Sequence, residues 1–557
     1  MITVQDVRRI PLFAGLPDPA ASRVAANAAD IRLRANEYFV GEGETPAFYV
    51  VLDGRMEILK RYGSTVVQLA ERGPGEYVGE TPILLGTSFF VSARTLEPTR
   101  LLRLEAQDFR WLLRVVDGVR EQILEVVSQR TQGVSEETSA APAPPIVLGS
   151  RYDERCHDVR DFLARNRIAF EWFDPADGAC TRYGDIPRDQ LPMLILPDGT
   201  KLSCPSPRQM AQALGLQTDP DHAEYDVTIV GGGPAGLAAA VYGASEGLRT
   251  LLIENFATGG QAGTSSRIEN YLGFPSGLSG DDLADRARTQ AERLGAEIIV
   301  ARAAQRILPG SPLHTIELDG DVSVQSHAVV LATGVSYRKL QVPDIDRFLG
   351  TGVFYGAARS EASTTTGRDV VLVGGGNSAG QAAMFFSGYA RKVTVLIRGA
   401  SLNASMSHYL IEELATRDNI EIRTFGEIVA VYGREHLEGI DVRDPRDGSV
   451  EHWAVDAVFV FIGADAYTDW LPTEVIRDER GYVCTGRDVR DLLESEHRDW
   501  PNVRDPFLLE SSVPGIFAAG DVRHGSVKRV AAGVGEGSMT IAFVHQYLAS
   551  LPQAAPV

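Results

Sequence analysis

Apolar positions along this chain pass through three successive regimes. From Leu12 to about Ala106, short β-rich runs (Phe48 to Leu52, Met56 to Lys60, Val66 to Ala70) are punctuated by glycine and aspartate and flanked by two helical patterns. That alternation predicts a small antiparallel barrel or sandwich. Gln132 to Pro145 is poor in large apolar residues and ends in prolines, so it cannot bury a core and is predicted as a semi-extended linker. Between Ile146 and Gln217 the pattern predicts a strand (Ile146 to Leu148), a helix (Glu154 to Asn166), two strands (Phe170 to Phe173, Met193 to Leu196), a turn, a further strand and a helix (Pro207 to Leu214). A second short linker, Gln217 to His222, follows. From Tyr225 to Leu548, strand and helix patterns alternate, the mark of α/β architecture.

Two glycine-rich turns punctuate that last region, Gly231 to Gly236 (GGGPAG) and Gly374 to Gly380 (GGGNSAG), each behind a β-branched run and ahead of an alanine-rich stretch. In such a turn the first glycine permits the bend, the second admits a pyrophosphate to the backbone, and the third packs helix on strand, with the helix N-terminus facing the phosphate. Two dinucleotides are therefore expected, with the second unit inserted into the first. Glu254 closes the strand after the first turn, where a carboxylate accepts from ribose hydroxyls. The corresponding strand after the second turn, Lys392 to Ile397, ends instead in Arg398, which suits the 2′-phosphate of NADPH, with NADH as the alternative.

At 557 residues the chain is too long for one core. A net charge of −20 without a basic run argues against nucleic acid or an anionic membrane surface as partner. No apolar stretch approaches the ~18 residues that span a bilayer and the start lacks a signal-peptide core, so a cytoplasmic protein is expected. The four cysteines, Cys156, Cys180, Cys204 and Cys484, include no C-x-x-C pair, which fits a reducing compartment and neither a zinc site nor a disulfide framework. No metal is expected.

Beyond the first turn stand Gly259, Gly260 and Gln261, then Glu269 to Pro275 (ENYLGFP), Ala332 to Gly334 (ATG) and Gly515 to Asp521 (GIFAAGD). With these the chain, from about Tyr225 onward, resembles the low-molecular-weight thioredoxin reductases. The resemblance implies FAD held by Gly231, Gly233, Gly236, Glu254, Gly260, Gln261, Asn270 and Asp521, with the helix near Val530 aimed at the flavin carbonyl edge. It implies NAD(P)H held through Gly374, Gly376, Ser378 and Arg398, and a homodimer. Tyr355, Arg359 and His524 fall near the flavin by position in the family. The family's Cys-x-x-Cys pair is missing: Gly356 and Arg359 stand where the cysteines belong, so thioredoxin reduction by the family's route lacks its disulfide.

Pro11 to Leu16, Ala47 to Arg55 and Gly75 to Glu80 resemble the cyclic-nucleotide-binding domain, a β-roll in which Gly79 and Glu80 would open the phosphate cassette. Phe90 takes the place of that family's arginine and Arg94 falls four positions late, on a predicted strand. Ile146 to Gln217 resembles a thioredoxin or glutaredoxin module, with Leu191 and Pro192 at the usual cis-proline and Cys156 as the surviving cysteine. Cys156, at or near a helix N-terminus, has two readings: a thiolate with a lowered pKa, or an inert residue of a degenerate scaffold. Cys180 and Cys204 read as structural or incidental.

The expected fold is thus multidomain: a β-roll (1–131), a linker (132–145), an α/β thioredoxin-like module (146–217), and two Rossmann-like domains, FAD-binding (224–345 and 465–557) around NAD(P)H-binding (346–464). The expected chemistry is hydride transfer from NAD(P)H to FAD and on to a small molecule or small redox protein. Two alternatives stand beside it: thioredoxin-disulfide reduction through Cys156, and a sensor governed by a cyclic nucleotide or other small ligand on the first domain.

Overall fold

The computed structural model describes residues 2–44, 46–62, 65–116, 118–127, 144–151, 153–175, 187–265, 268–275, 277–356, 365–495, 497, 500–501 and 504–551. The expected linker therefore lies almost wholly outside the described residues, as do Cys180 and Arg359. The chain divides into two compact units, Met1–Pro144 and Pro145–Val557.

The first unit holds two four-stranded antiparallel sheets. One orders Ala29–Leu33, Thr99–Glu105, Ala47–Asp53 and Tyr77–Val78; the other orders Tyr38–Val40, Ser92–Thr95, Met56–Tyr62 and Thr65–Arg72. Alternation along Ala47–Asp53 divides its side chains between two cores. Phe48 and Val50 join the helices Asp18–Asn27 and Ala106–Val115, where Phe48 stacks on Phe109 at 4.0 Å, whereas Tyr49 and Val51 face the other sheet.

The second unit opens with a four-stranded sheet in the order Glu171–Phe173, Ile146–Leu148, Met193–Ile195, Lys201–Ser203. Its first pair is parallel and the other two are antiparallel. The helix Glu154–Arg165 is capped by Asp153, whose carboxylate accepts from the Arg155 amide. The Leu191–Pro192 peptide is cis.

A seven-stranded sheet follows, in which Glu297–Ile299, Thr250–Ile253, Glu224–Val230 and Val322–Leu331 lie parallel. Val322–Leu331 serves two neighbours on its other edge: its first half pairs with His314–Leu318 and its last three residues with Ile516–Ala518. Between those two neighbouring strands the chain leaves to build a separate parallel sheet of five, Val353–Tyr355, Ala457–Val460, Asp369–Val373, Lys392–Leu396 and Ile420–Arg423, together with a three-stranded antiparallel sheet spanning Glu427 to Ala454. The runs read as strands in the sequence are strands here, shifted by a residue or two at their ends, because buried parallel strands are nearly continuous apolar runs and their ends fray.

Candidate functional site

The strand Glu224–Val230 delivers the chain to Gly231, whose φ is 109°. A Cβ there would lie 2.4 Å from the Ala332 carbonyl oxygen, and one on Gly236 would lie 1.9 Å from the Gly231 carbonyl oxygen. Only glycine fits either place, and what the two leave open is a backbone cradle at the head of the helix Pro234–Ser245. That helix begins at Gly233 with no side-chain cap, so its first amides are available to an anion.

Glu254 lies beneath the cradle. Its Oε2 accepts from the Gly232 amide at 2.7 Å and its Oε1 from the Phe256 amide at 3.0 Å. Burial pushes the carboxyl upward, opposed by these amides and by the nearby Arg165 cation. Gly260 closes the cradle from the other side, its Cα 4.0 Å from where a Gly233 Cβ would stand. Gln261 ties this loop to the next, its Nε2 donating to the Val335 carbonyl at 2.6 Å. Gly520 abuts Ala235, which brings Asp521 to the same end of the sheet. Burial raises the Asp521 carboxyl and lowers Lys528, which donates to the Asp521 carbonyl. The helix Val530–Ser550 starts beside them, uncapped, behind Arg529. Asn270 lies exposed in its loop.

The second turn repeats this geometry. A Cβ on Gly374 would meet the Phe461 carbonyl oxygen at 2.4 Å, and Gly376 opens the helix Asn377–Phe386 without a side-chain cap. Asn377 is held by Ser407, its Oδ1 accepting from the Ser407 amide at 2.7 Å. Ser378 is exposed on the first turn of the helix. Arg398 is exposed at the end of the adjacent strand and makes no ion pair among the described residues. An unpartnered guanidinium beside an uncapped helix N-terminus suits a phosphate-bearing ligand.

Tyr355 and His524 are engaged locally. The Tyr355 hydroxyl accepts from the Leu340 amide at 2.9 Å, and His524 Nδ1 is 3.0 Å from Asp488. Gly356 adopts φ 90°, and a Cβ added to it would lie 3.1 Å from the Tyr337 hydroxyl oxygen and 3.2 to 3.3 Å from the ring. Tyr337 thus borders the position where the sequence resemblance called for a cysteine.

Of the two readings of Cys156, burial favours the inert thiol over the thiolate. The thiol is fully buried, and burial pushes it up to about 12, with the Arg160 cation opposing only in part. A helix start is visible in sequence; the depth at which it sits is not. Burial likewise lifts Cys484 to about 11, and Cys204 is half-buried beside Arg155 at 3.4 Å.

In the first unit, Gly79 and Glu80 begin the short helix Glu80–Leu85, and Glu80 is buried and accepts from the Thr81 hydroxyl at 2.9 Å. Arg94 is on a strand as expected but is committed to Glu57 at 2.5 Å and lies over Tyr38. The ring of Phe89 comes within 3.3 Å of a Cβ position on Gly79. Among the described residues no helix is long and apolar enough to cross a membrane, and no group of three or more His, Cys, Asp or Glu is arranged to hold a metal.

Residues 225–537, which contain both cradles, match the family described as pyridine nucleotide-disulphide oxidoreductase. The chain belongs to that family. This oxidoreductase is an NAD(P)H-dependent flavoprotein enzyme of the thioredoxin reductase-like kind, and the thioredoxin reductase family uses FAD and NADPH. Residues 30–115 match the cyclic nucleotide-binding domain. The thioredoxin reductase of Treponema pallidum is 32% identical over 328 residues, 59% of this chain and 98% of that one. The crystal structures of thioredoxin reductase from T. acidophilum (27% identity, TM-score 0.52) and Lactococcus lactis (25%, 0.53) each align over 59% of this chain and 100% of theirs. The cradle at Gly231, Gly233 and Gly260, with Glu254 beneath it, fits the dinucleotide this oxidoreductase requires. Lys528 and Arg529 at the start of Val530–Ser550, and Arg165 beside Gly260, were not singled out in the sequence.

Proposed function

We propose that this enzyme takes hydride from NADPH and delivers the two electrons to a small oxidant, such as a quinone, oxygen or a small redox protein, without a cysteine pair beside the flavin. The observation that carries this reading is Gly356: the position offers no thiol, holds a left-handed φ of 90° and faces Tyr337. The bound FAD supplies storage for two electrons between donor and acceptor. Arg398 and the uncapped helix behind Gly376, with Ser378 on its first turn, hold the nicotinamide dinucleotide. Gly231, Gly233, Gly236, Glu254, Gly260, Gln261, Asn270 and Asp521 hold the FAD. The amides at the start of Val530–Ser550 favour negative charge on whatever group abuts them. On this reading 224–345 with 465–557 form the FAD-binding domain, 346–464 forms the NADPH-binding domain, and two copies pair as a homodimer.

A second reading, disulfide reduction through Cys156, draws on one contact. A Cβ on Gly149 would touch both the Cys156 sulfur, at 2.6 Å, and Pro192, at 3.2 Å, so the thiol lies in the cis-proline corner of its module. The two readings separate in one experiment. The flavin is bleached anaerobically with NADPH and reoxidised with a quinone, with oxygen or with oxidised thioredoxin, in the parent protein and in Cys156→Ser. Quinone or oxygen turnover indifferent to the substitution is expected. Thioredoxin turnover that vanishes in Cys156→Ser would establish the second reading and remove the first.

A further inference from the structure

The Ile146–Gln217 module lies outside the matched family region, yet it reaches the FAD cradle. Its helix Glu154–Arg165 packs on the loop after Glu254: Phe162 meets Phe256 edge-on at 5.3 Å, and Asn166 Nδ2 donates to the Phe256 carbonyl at 3.3 Å. The helix ends in Arg165, whose Nη2 donates to the Gly260 carbonyl at 3.1 Å while its guanidinium lies 5.4 Å from the Phe256 ring centroid. Gly260 belongs to the cradle, next to Gly233. Arg165 makes no ion pair within bonding distance among the described residues, so one carbonyl bond leaves most of its five donors unmet. Its field reaches both Glu254 below the cradle and Tyr337 across it. A half-buried cation at a cradle built of backbone amides lacks only an anion, and the dinucleotide diphosphate supplies one.

We propose that Arg165 holds the FAD diphosphate, making the preceding module part of the cofactor site of this oxidoreductase. The inference rests on FAD occupying the first cradle. Because Arg165 arrives on the module's helix, whose Phe162 and Leu163 share one core with the strand Glu224–Val230, any shift of that helix would weaken FAD binding, and FAD would in turn hold the helix in place, since linkage is reciprocal. The neighbouring Arg167 provides an internal comparison. It pairs with Asp282 at 2.6 Å across the same interface but is bound to a carboxylate already.

The test is titration of the full-length apoprotein with FAD, followed by quenching of flavin fluorescence, at low and high NaCl, for the parent, Arg165→Met, Arg165→Lys and Arg167→Met. Loss of a charge-assisted hydrogen bond predicts an FAD Kd raised ~10- to 100-fold in Arg165→Met, with a flatter salt dependence and partial recovery in Arg165→Lys. Arg167→Met is expected to stay within about threefold of the parent, as befits an exposed pair. Equal weakening by Arg167→Met and Arg165→Met, or an unchanged Kd and salt slope in Arg165→Met, would overturn the proposal. Failure of the parent itself to quench FAD would instead overturn the cofactor assignment beneath it.

Discussion

Replacing Arg398 with alanine should separate NADPH from NADH without disturbing the fold. The guanidinium is exposed and outside any ion pair among the described residues, so its removal is expected to change stability by no more than about 0.5 kcal/mol. A hydrogen bond to a charged group contributes ~1.5–3 kcal/mol, so losing the contact to the 2′-phosphate should raise the KM for NADPH by roughly 10- to 150-fold. The 2′-phosphate is remote from the reacting carbon, so the loss is uniform between ground and transition states and kcat should hold. NADH has no phosphate there and should bind as before. The assay is anaerobic stopped-flow reduction of the flavin over a range of each nucleotide, with thermal unfolding as the control. Parallel losses with both nucleotides, or no loss with NADPH, would refute the assignment of Arg398, whatever became of overall activity.

Other expectations follow from buried contacts. Gly356→Ala forces a side chain into a left-handed φ against Tyr337 and should cost about 1–2 kcal/mol in thermal unfolding, with Tyr337→Ala in the same chain relieving the contact but not the backbone term. Cys156 titrates near 12 when folded against ~8.5 unfolded, so the folded state holds its proton more tightly. Its contribution to stability is complete below pH ~8.5 and declines as pH rises toward about 12, with a slope approaching ~1.4 kcal/mol per pH unit; denaturant melts of Cys156→Ala should lack that part of the decline. Arg94→Ala leaves Glu57 buried without its cation and should destabilise the first unit by ~1–3 kcal/mol, read from the midpoint of its unfolding.

What was legible in the sequence was local. The cradles at Gly231 and Gly374 announce themselves because strand, turn and helix are consecutive and only glycine survives the close approaches. Glu254 and Arg398 follow because each closes the next strand. The two readings of Cys156 could not be separated in sequence for the complementary reason: a helix start is a local feature, whereas burial at 0% exposure is made by Gly149, Pro192 and the sheet around them. Arg94 carried the charge expected of a phosphate ligand, but its register opposite Glu57 appears only once Met56–Tyr62 pairs with Ser92–Thr95. Arg165 was invisible on the same ground, being one polar residue in a helix until that helix meets the loop at Phe256. Side chains brought together by tertiary packing leave no period and no motif behind.

The detour between Val322–Leu331 and Ile516–Ala518 also governs how the protein comes into being. At ~5–20 residues per second, the ribosome extrudes the entire inserted sheet before the partner for Val329–Leu331 exists, leaving an apolar edge open for many seconds. The helix Val530–Ser550, which seals the cradle region, emerges later still. Cofactor capture is thereby deferred until that helix has been made, and the nascent chain's need for chaperones should peak while the insert is being made.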